Sequence, residues 1–273
     1  MNFRNINLIA TNTFRNELRN RGFIFMGVMT FLVMTVGFIV MDYVMKEFVD
    51  PGTFKLAGNT ALYVSYRFIM FWTFLIGLNF GINCIRNDLS YGTLSLILSF
   101  PVSRLEYFLG RIGGAFIMSV IYFLMAFLYS VIALTIMSKE IIFHISFLYA
   151  FFISGLGLLM WIVMASFISI YFSRLTSFFI ICFTYLIVSS SDQYFSSIPM
   201  GEWFATFSPF KVIGVVIYAL FPHLQSLSNF AGEILQGEVV DYAMNMAHVG
   251  HGLITVGLIV FVYNFYFSKK DIN

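Results

Sequence analysis

The sequence predicts an all-α polytopic membrane protein with six spans, an N-terminal amphipathic helix, a short cytoplasmic helix between spans two and three, and re-entrant or interfacial helices between spans five and six. Composition is the first observation: 60% of residues are hydrophobic and 10% charged, against about 45–50% and about 25% in soluble domains. Mean hydropathy is +0.88. The second is a set of runs without Asp, Glu, Lys or Arg at 22–41, 68–85, 112–138, 141–173, 175–191 and 242–268, lengths that suit a hydrocarbon core crossed by about 20 apolar residues. The third is a polar, proline-broken stretch at 212–232 that cannot face lipid with its backbone interrupted.

Residues 2–20 carry Phe3, Ile6, Ala10, Phe14 and Leu18 on one helical stripe, with Asn5, Asn12, Arg15, Asn16 and Arg19 opposite. Such an elbow helix lies flat in the headgroup layer, as an anchor that fixes topology or as a partner surface. Span one, 22–41, follows without a small-x-small cleavage site, so it stays attached. Span two is placed at 62–85, a loop at 87–103, and spans three to five at 107–138, 143–173 and 175–191. An aromatic external segment at 192–244, with Trp203, Phe204, Phe207, Phe210, Tyr218 and Phe221, gates the outer mouth, docks an external partner or simply caps the interface. Span six covers 245–267, and the whole of 1–273 reads as a single membrane domain.

Six spans put both termini on one side, and the positive-inside rule makes that side cytoplasmic. Arg4, Arg15, Arg19, Arg21, Arg86, Arg104, Arg111, Arg174, Lys269 and Lys270 all fall there. The expected location is the cell membrane. A net charge of +2 is accounted for by this topology and points to no nucleic-acid partner.

The loop reads as two helical pieces around a break. Leu94, Ile97 and Leu98 recur at helical spacing after Gly92, opposite Thr93, Ser95 and Ser99. Pro101 then stops the helix. Ser103 and Glu106 are spaced as a capping box that starts span three well inside the cytoplasm. Helix connections commonly need 2–8 residues, so this longer structured loop either offers an apolar knob to a soluble partner or rests on the membrane surface.

Gly92-Thr93-Leu94, then Leu98, Pro101-Val102-Ser103-Arg104, Glu106 and Gly110-Arg111 resemble the loop signature of permease subunits of type-2 ATP-binding-cassette exporters, with Asp88 as the preceding acidic residue and Arg111 in place of the usual lysine. The resemblance implies that the segment is a coupling helix seated in an ABC ATPase subunit, with Asp88, Gly92, Thr93, Leu94, Leu98, Pro101, Ser103, Arg104, Glu106 and Arg111 serving that contact. It also implies a second permease copy or paralogue, outward transport, and ATP and Mg held by the partner. No Gly-x-x-x-x-Gly-Lys-Ser/Thr loop occurs in the sequence, so no cofactor and no catalytic role are expected in this chain.

Other candidates are fewer. Arg67 is the one charge inside a span, expected to snorkel to the headgroups or to line the pathway. A pathway so poor in charge suits an apolar or amphipathic substrate. His144, His223, His248 and His251 all fall on the outer side, and Met244, His248 and His251 share a helix face that could hold copper, as in a metal-related maturation permease. Cys84 and Cys182 have no disulfide or zinc spacing. Gly77/Gly81 and Gly110/Gly114 are either small-residue packing seams or incidental glycines. A secondary transporter or an intramembrane enzyme lacks its expected signs here, whereas a non-transporting anchor subunit would share every feature above.

Overall fold

Runs of apolar residues that cannot hydrate their backbone in lipid must satisfy it internally, and this chain does so with helices alone. The computed structural model describes residues 2–19, 21–48, 54–90, 92–138, 146–203, 208–237 and 241–269, with no strand among them. Of the positions named above, His144, Phe204, Phe207, Lys270 and the side chains of Ser95, Leu98 and Lys269 lie outside the described set.

Helix α1 (Phe3–Arg19) is followed by α2 (Arg21–Phe48), α3 (Phe54–Ser90), α4 (Thr93–Leu98), α5 (Arg104–Ser138), α6 (Ser146–Ser169) and α7 (Arg174–Ser196). Then come α8 (Pro209–Leu220), α9 (Leu224–Gln236) and α10 (Tyr242–Lys269). Six of these are long and apolar enough to cross a membrane: α2, α3, α5, α6, α7 and α10. The chain is therefore an all-α polytopic membrane protein. The end bearing α1 and α4 is called the elbow end, and the opposite end the far end.

Two glycine pairs set the packing. A Cβ on Gly81 of α3 would stand 2.9 Å from the Ala165 Cβ and 3.1 Å from the Ile162 carbonyl of α6, so these two central helices touch almost backbone to backbone. A Cβ on Gly110 of α5 would stand 2.7 Å from the Ile9 Cβ, and one on Gly114 2.6 Å from the Thr13 Cβ. The elbow helix is thus docked on α5, where Ala10 and Thr13 are buried. The expectation of a flat interfacial helix did not include this packing against α5.

Around the α3–α6 seam the side chains form one core toward the far end, with Tyr66, Phe74, Leu78, Trp161 and Phe230, and another toward the elbow end, with Ile85, Leu94, Tyr107, Phe108 and Tyr263. The Phe108 and Tyr263 rings stack 3.6 Å apart, pinning α10 to the start of α5. Helix α2 stays mostly exposed to its surroundings, held by Tyr122 donating to the Phe23 carbonyl at 2.7 Å and Trp72 to the Thr30 hydroxyl at 3.1 Å.

Helices α8 and α9 are bent 66° apart. Pro209 suits the first turn of α8, where its missing N–H is no loss, and Gly237 ends α9 at φ 70°. At the break, a Cβ on Gly252 of α10 would meet Pro222 at 3.7 Å and one on Gly157 of α6 would meet Leu224 at 3.9 Å. Both glycines lie about ten residues inside their helices, about 15 Å at 1.5 Å per residue, so the pair dips into the bundle.

Candidate functional site

Residues 86–111 fold into a knuckle whose shape comes from one left-handed residue and one capping box. Gly92 has φ 68°, a conformation L side chains rarely adopt, and it reverses the chain between α3 and α4. After Pro101, Glu106 N–H donates to the Ser103 hydroxyl at 3.2 Å and the Ser103 N–H returns to Glu106 Oε2 at 3.1 Å. The same carboxylate accepts from Asn5 Nδ2 at 3.1 Å and from the Asn2 backbone N–H, so the cap of α5 also ties down the start of α1. Asn5 further donates to the Pro101 carbonyl at 3.4 Å.

Behind the knuckle sits a buried charge pair. Asp88, 8% exposed at the end of α3, takes an ion pair from Arg111, a hydroxyl hydrogen bond from Tyr107 at 2.5 Å and one from Thr93 at 3.2 Å. Arg111 donates its other arm to Thr13 of α1 at 3.0 Å and lies over the Tyr107 ring. One carboxylate and one guanidinium therefore join α1, α3, α4 and α5. Beside them a polar recess of about 240 Å³ is lined by Glu17, Asn79, Asn83, Asn87 and Arg174. Burial lifts the Glu17 carboxyl above the usual carboxylate range, with the charge of Arg111 pulling the other way.

The outward surface is apolar. Leu96 is 66% and Phe100 63% exposed, on the side of the knuckle opposite Leu94, which is 1% exposed and packs with Ile85 and Tyr107. Of the residues proposed for the contact, Gly92, Pro101 and Ser103 are exposed, and Thr93 and Arg104 are half-buried. Asp88, Leu94 and Glu106 are buried, and Arg111 faces Asp88 and Thr13; these four brace the knuckle from behind. Sequence reasoning passed over Tyr107, Thr13, Asn2 and Asn5, which complete the brace, and Leu96 and Phe100, which form the surface. The available signal was Tyr107 and Arg111 four residues apart on an otherwise apolar helix, and Leu96 alone on a polar face.

The far end carries its own polar groups. Asp192 of α7, 1% exposed, accepts the Ser226 N–H at 2.8 Å and hydroxyl at 2.7 Å, capping α9 from outside because His223 at the cap position makes no side-chain cap bond. His223 and His248 meet Nδ1 to Nδ1 at 2.6 Å, and the His223 ring is stacked between Tyr218 and His251. His223 Nε2 bonds the Tyr218 carbonyl and His251 Nε2 the Ala219 carbonyl, each at 2.9 Å. These four nitrogens are hydrogen-bonded, whereas His251 Nδ1 is buried with no hydrogen-bond partner among the described residues; Met244 is 46% exposed, and no group of three or more His, Cys, Asp or Glu among the described residues could hold a metal ion. Arg67 donates to Tyr63 on its own helix and to Ser228 and Asn229 of α9.

These features define a polytopic helical membrane protein with a braced, apolar knuckle at one end. Residues 18–191 match the family described as ABC-2 family transporter protein, and the chain belongs to that family. A search of the curated proteins finds no match. The family is a membrane component of ABC transporters, not itself catalytic, and implies an ABC ATPase partner in general. The match runs from the end of α1 through most of α7, so it includes the knuckle and stops before α8, α9 and α10.

Proposed function

We propose that this chain is the permease subunit of an ABC exporter, and that its ATPase partner, which holds ATP and Mg, seats the knuckle through Leu96 and Phe100. The observation that carries this reading is the pairing of an exposed apolar surface with a rigid brace. Displacement of Phe100 is transmitted through Asp88, Glu106 and Arg111 into α1, α3 and α5 together, and packed helices with two discrete arrangements amplify small shifts. In this reading the elbow end and both termini are cytoplasmic, the far end faces outward, and the active unit holds a second permease copy or paralogue. The α8–α9 pair then stands at the outer mouth.

A photocrosslinking residue at position 100, in cells carrying the full chain, tests the proposal. An adduct with a polypeptide that has a nucleotide phosphate loop is expected, and none from position 152 on the apolar surface of α6, where Phe152 is 68% exposed. Equal adducts from both positions, or none with an ATPase, overturn it. An impermeant thiol label should reach a cysteine placed at 236 from outside and not one at 100; the reverse result inverts the topology.

A further inference from the structure

Among the described residues the Arg67 cation has no counter-charge. Its four hydrogen bonds there go to neutral oxygens, two to the Tyr63 hydroxyl and one each to the Ser228 hydroxyl and the Asn229 amide, leaving one Nη1 N–H without a partner among those residues. Among the described residues no carboxylate oxygen lies within 4.0 Å of it. Asp192, the buried acid of this end, is taken up by Ser226. Dipoles solvate a guanidinium but do not neutralise it, so an anion that reaches it in a low-dielectric setting gains far more than it would in water.

There is room for one. Arg67 lines a cavity of about 90 Å³ between α3, α5, α6, α7 and α9, bordered also by Ser154, whose hydroxyl is given to the Ala150 carbonyl at 2.6 Å, and by Ser228, and walled elsewhere mainly by apolar groups such as Phe74, Phe123 and Trp161. That volume suits a carboxylate and a few carbons and is too small for a bulky zwitterionic headgroup. The wall also includes Phe71, which is 59% exposed on α3, so the cavity reaches the surface that faces hydrocarbon in a membrane.

We propose that this cavity binds the carboxylate of an amphipathic molecule that enters from the bilayer past Phe71, with the Arg67 guanidinium taking the head and the aromatic wall the first carbons. As a cargo site it rests on the permease reading; as a binding site it stands alone.

The test uses the full chain in lipid nanodiscs with Trp161 as the sole tryptophan, after W72F and W203F replace the other two of the three. The probe is 2-bromododecanoate, whose bromine lies beside the carboxylate and quenches a neighbouring indole. Saturable quenching is expected, with the uncharged 2-bromododecanol and the short 2-bromoacetate each at least tenfold weaker. R67Q should weaken the acid at least tenfold, toward the alcohol's level, while R67K retains part of the binding. G157V keeps Arg67 but fills the cavity, since a Cβ there meets only Leu224 at 3.9 Å, and it should weaken the acid as well. Equal binding of acid and alcohol, or acid binding untouched by both R67Q and G157V, overturns the site. Binding of bromoacetate as tight as the long acid overturns the bilayer source. No nucleotide or ATPase takes part, so failure here leaves the crosslinking result at position 100 standing, and the reverse also holds.

Discussion

The two ends of the bundle solve the same problem, polar groups at the margin of an apolar interior, in opposite ways. At the elbow end, charges of both signs meet: Asp88 and Arg111 neutralise each other, and Glu106 is saturated by donors from α1 and its own capping box. At the far end Asp192 and Arg67 are not paired with each other. Asp192 spends itself on the Ser226 N–H and hydroxyl, the histidines on one another and on carbonyls, and Arg67 on neutral oxygens. The first arrangement ties α1, α3, α4 and α5 together through one ion pair and its hydrogen bonds. The second leaves Arg67, with no carboxylate partner among the described residues, next to a cavity and a bent helix pair.

The contrast breaks most directly at Asp88. Replacing it with alanine strands Arg111 in a site where both side chains are 11–12% exposed, and breaking one partner of a buried pair costs about 3–5 kcal/mol. D88A should therefore lose most folded protein in a detergent unfolding assay, and D88L/R111M, which removes both charges, should recover much of the loss. If D88A unfolds like the native chain, the ion pair does not hold the elbow end together.

The glycines of α5 come next. G110A drives a Cβ to 2.7 Å from Ile9 and 3.0 Å from the Ile6 carbonyl, and the latter is backbone that cannot rotate away. Overpacking of this kind costs about 1–3 kcal/mol, and the yielding element is α1, the shorter of the two helices. A cysteine at Ala10, 8% exposed in the native chain, should react faster with a thiol reagent in G110A. Unchanged reactivity would mean that α1 is held by its polar ties alone.

Asp192 tests the far end at a comparable or smaller cost. D192A leaves the Ser226 N–H buried without an acceptor, a loss of about 1–3 kcal/mol. Because the hydrogen bonds of Asp192 join α7 to α9 and do not involve α5, the damage should stay local: faster hydrogen exchange across the first turn of α9, with no change in α5. Exchange spreading to α5 would join the two ends into one unit and erase the distinction.

How much of this was legible in the sequence follows the range of the forces involved. The spans were readable because exclusion of charge over about 20 residues is a local property, and the capping box because its two members are three residues apart. Where the spans begin was less so: α3 runs from Phe54, well before the expected start at 62, because helical hydrogen bonding does not stop where hydrophobicity does. The brace was only half visible. Asp88 and Arg111 were singled out for a partner subunit, yet they bind each other, Tyr107 and Thr13, and a contact between residues 13 and 111 leaves no periodic trace. Leu94 and Leu96 show the limit most sharply. Both are leucines on a six-residue helix, and only the position of α5 behind it makes one buried and the other exposed.

Leu96, together with Phe100, supplies the smallest stability effect and the largest functional one. Leu96 and Phe100 are 66% and 63% exposed, and surface substitutions away from special features usually fall within about 0.5 kcal/mol. L96S/F100S should therefore unfold at the native midpoint while losing association with its ATPase, whereas L94S, which places a hydroxyl among Ile85, Tyr107 and Phe108, should lose stability first. The readout is the unfolding midpoint set beside co-purification of the ATPase subunit. If L96S/F100S destabilises the chain as much as L94S does, the knuckle's outer surface is already packed against something within the subunit, and the division between a braced interior and an open docking surface is wrong.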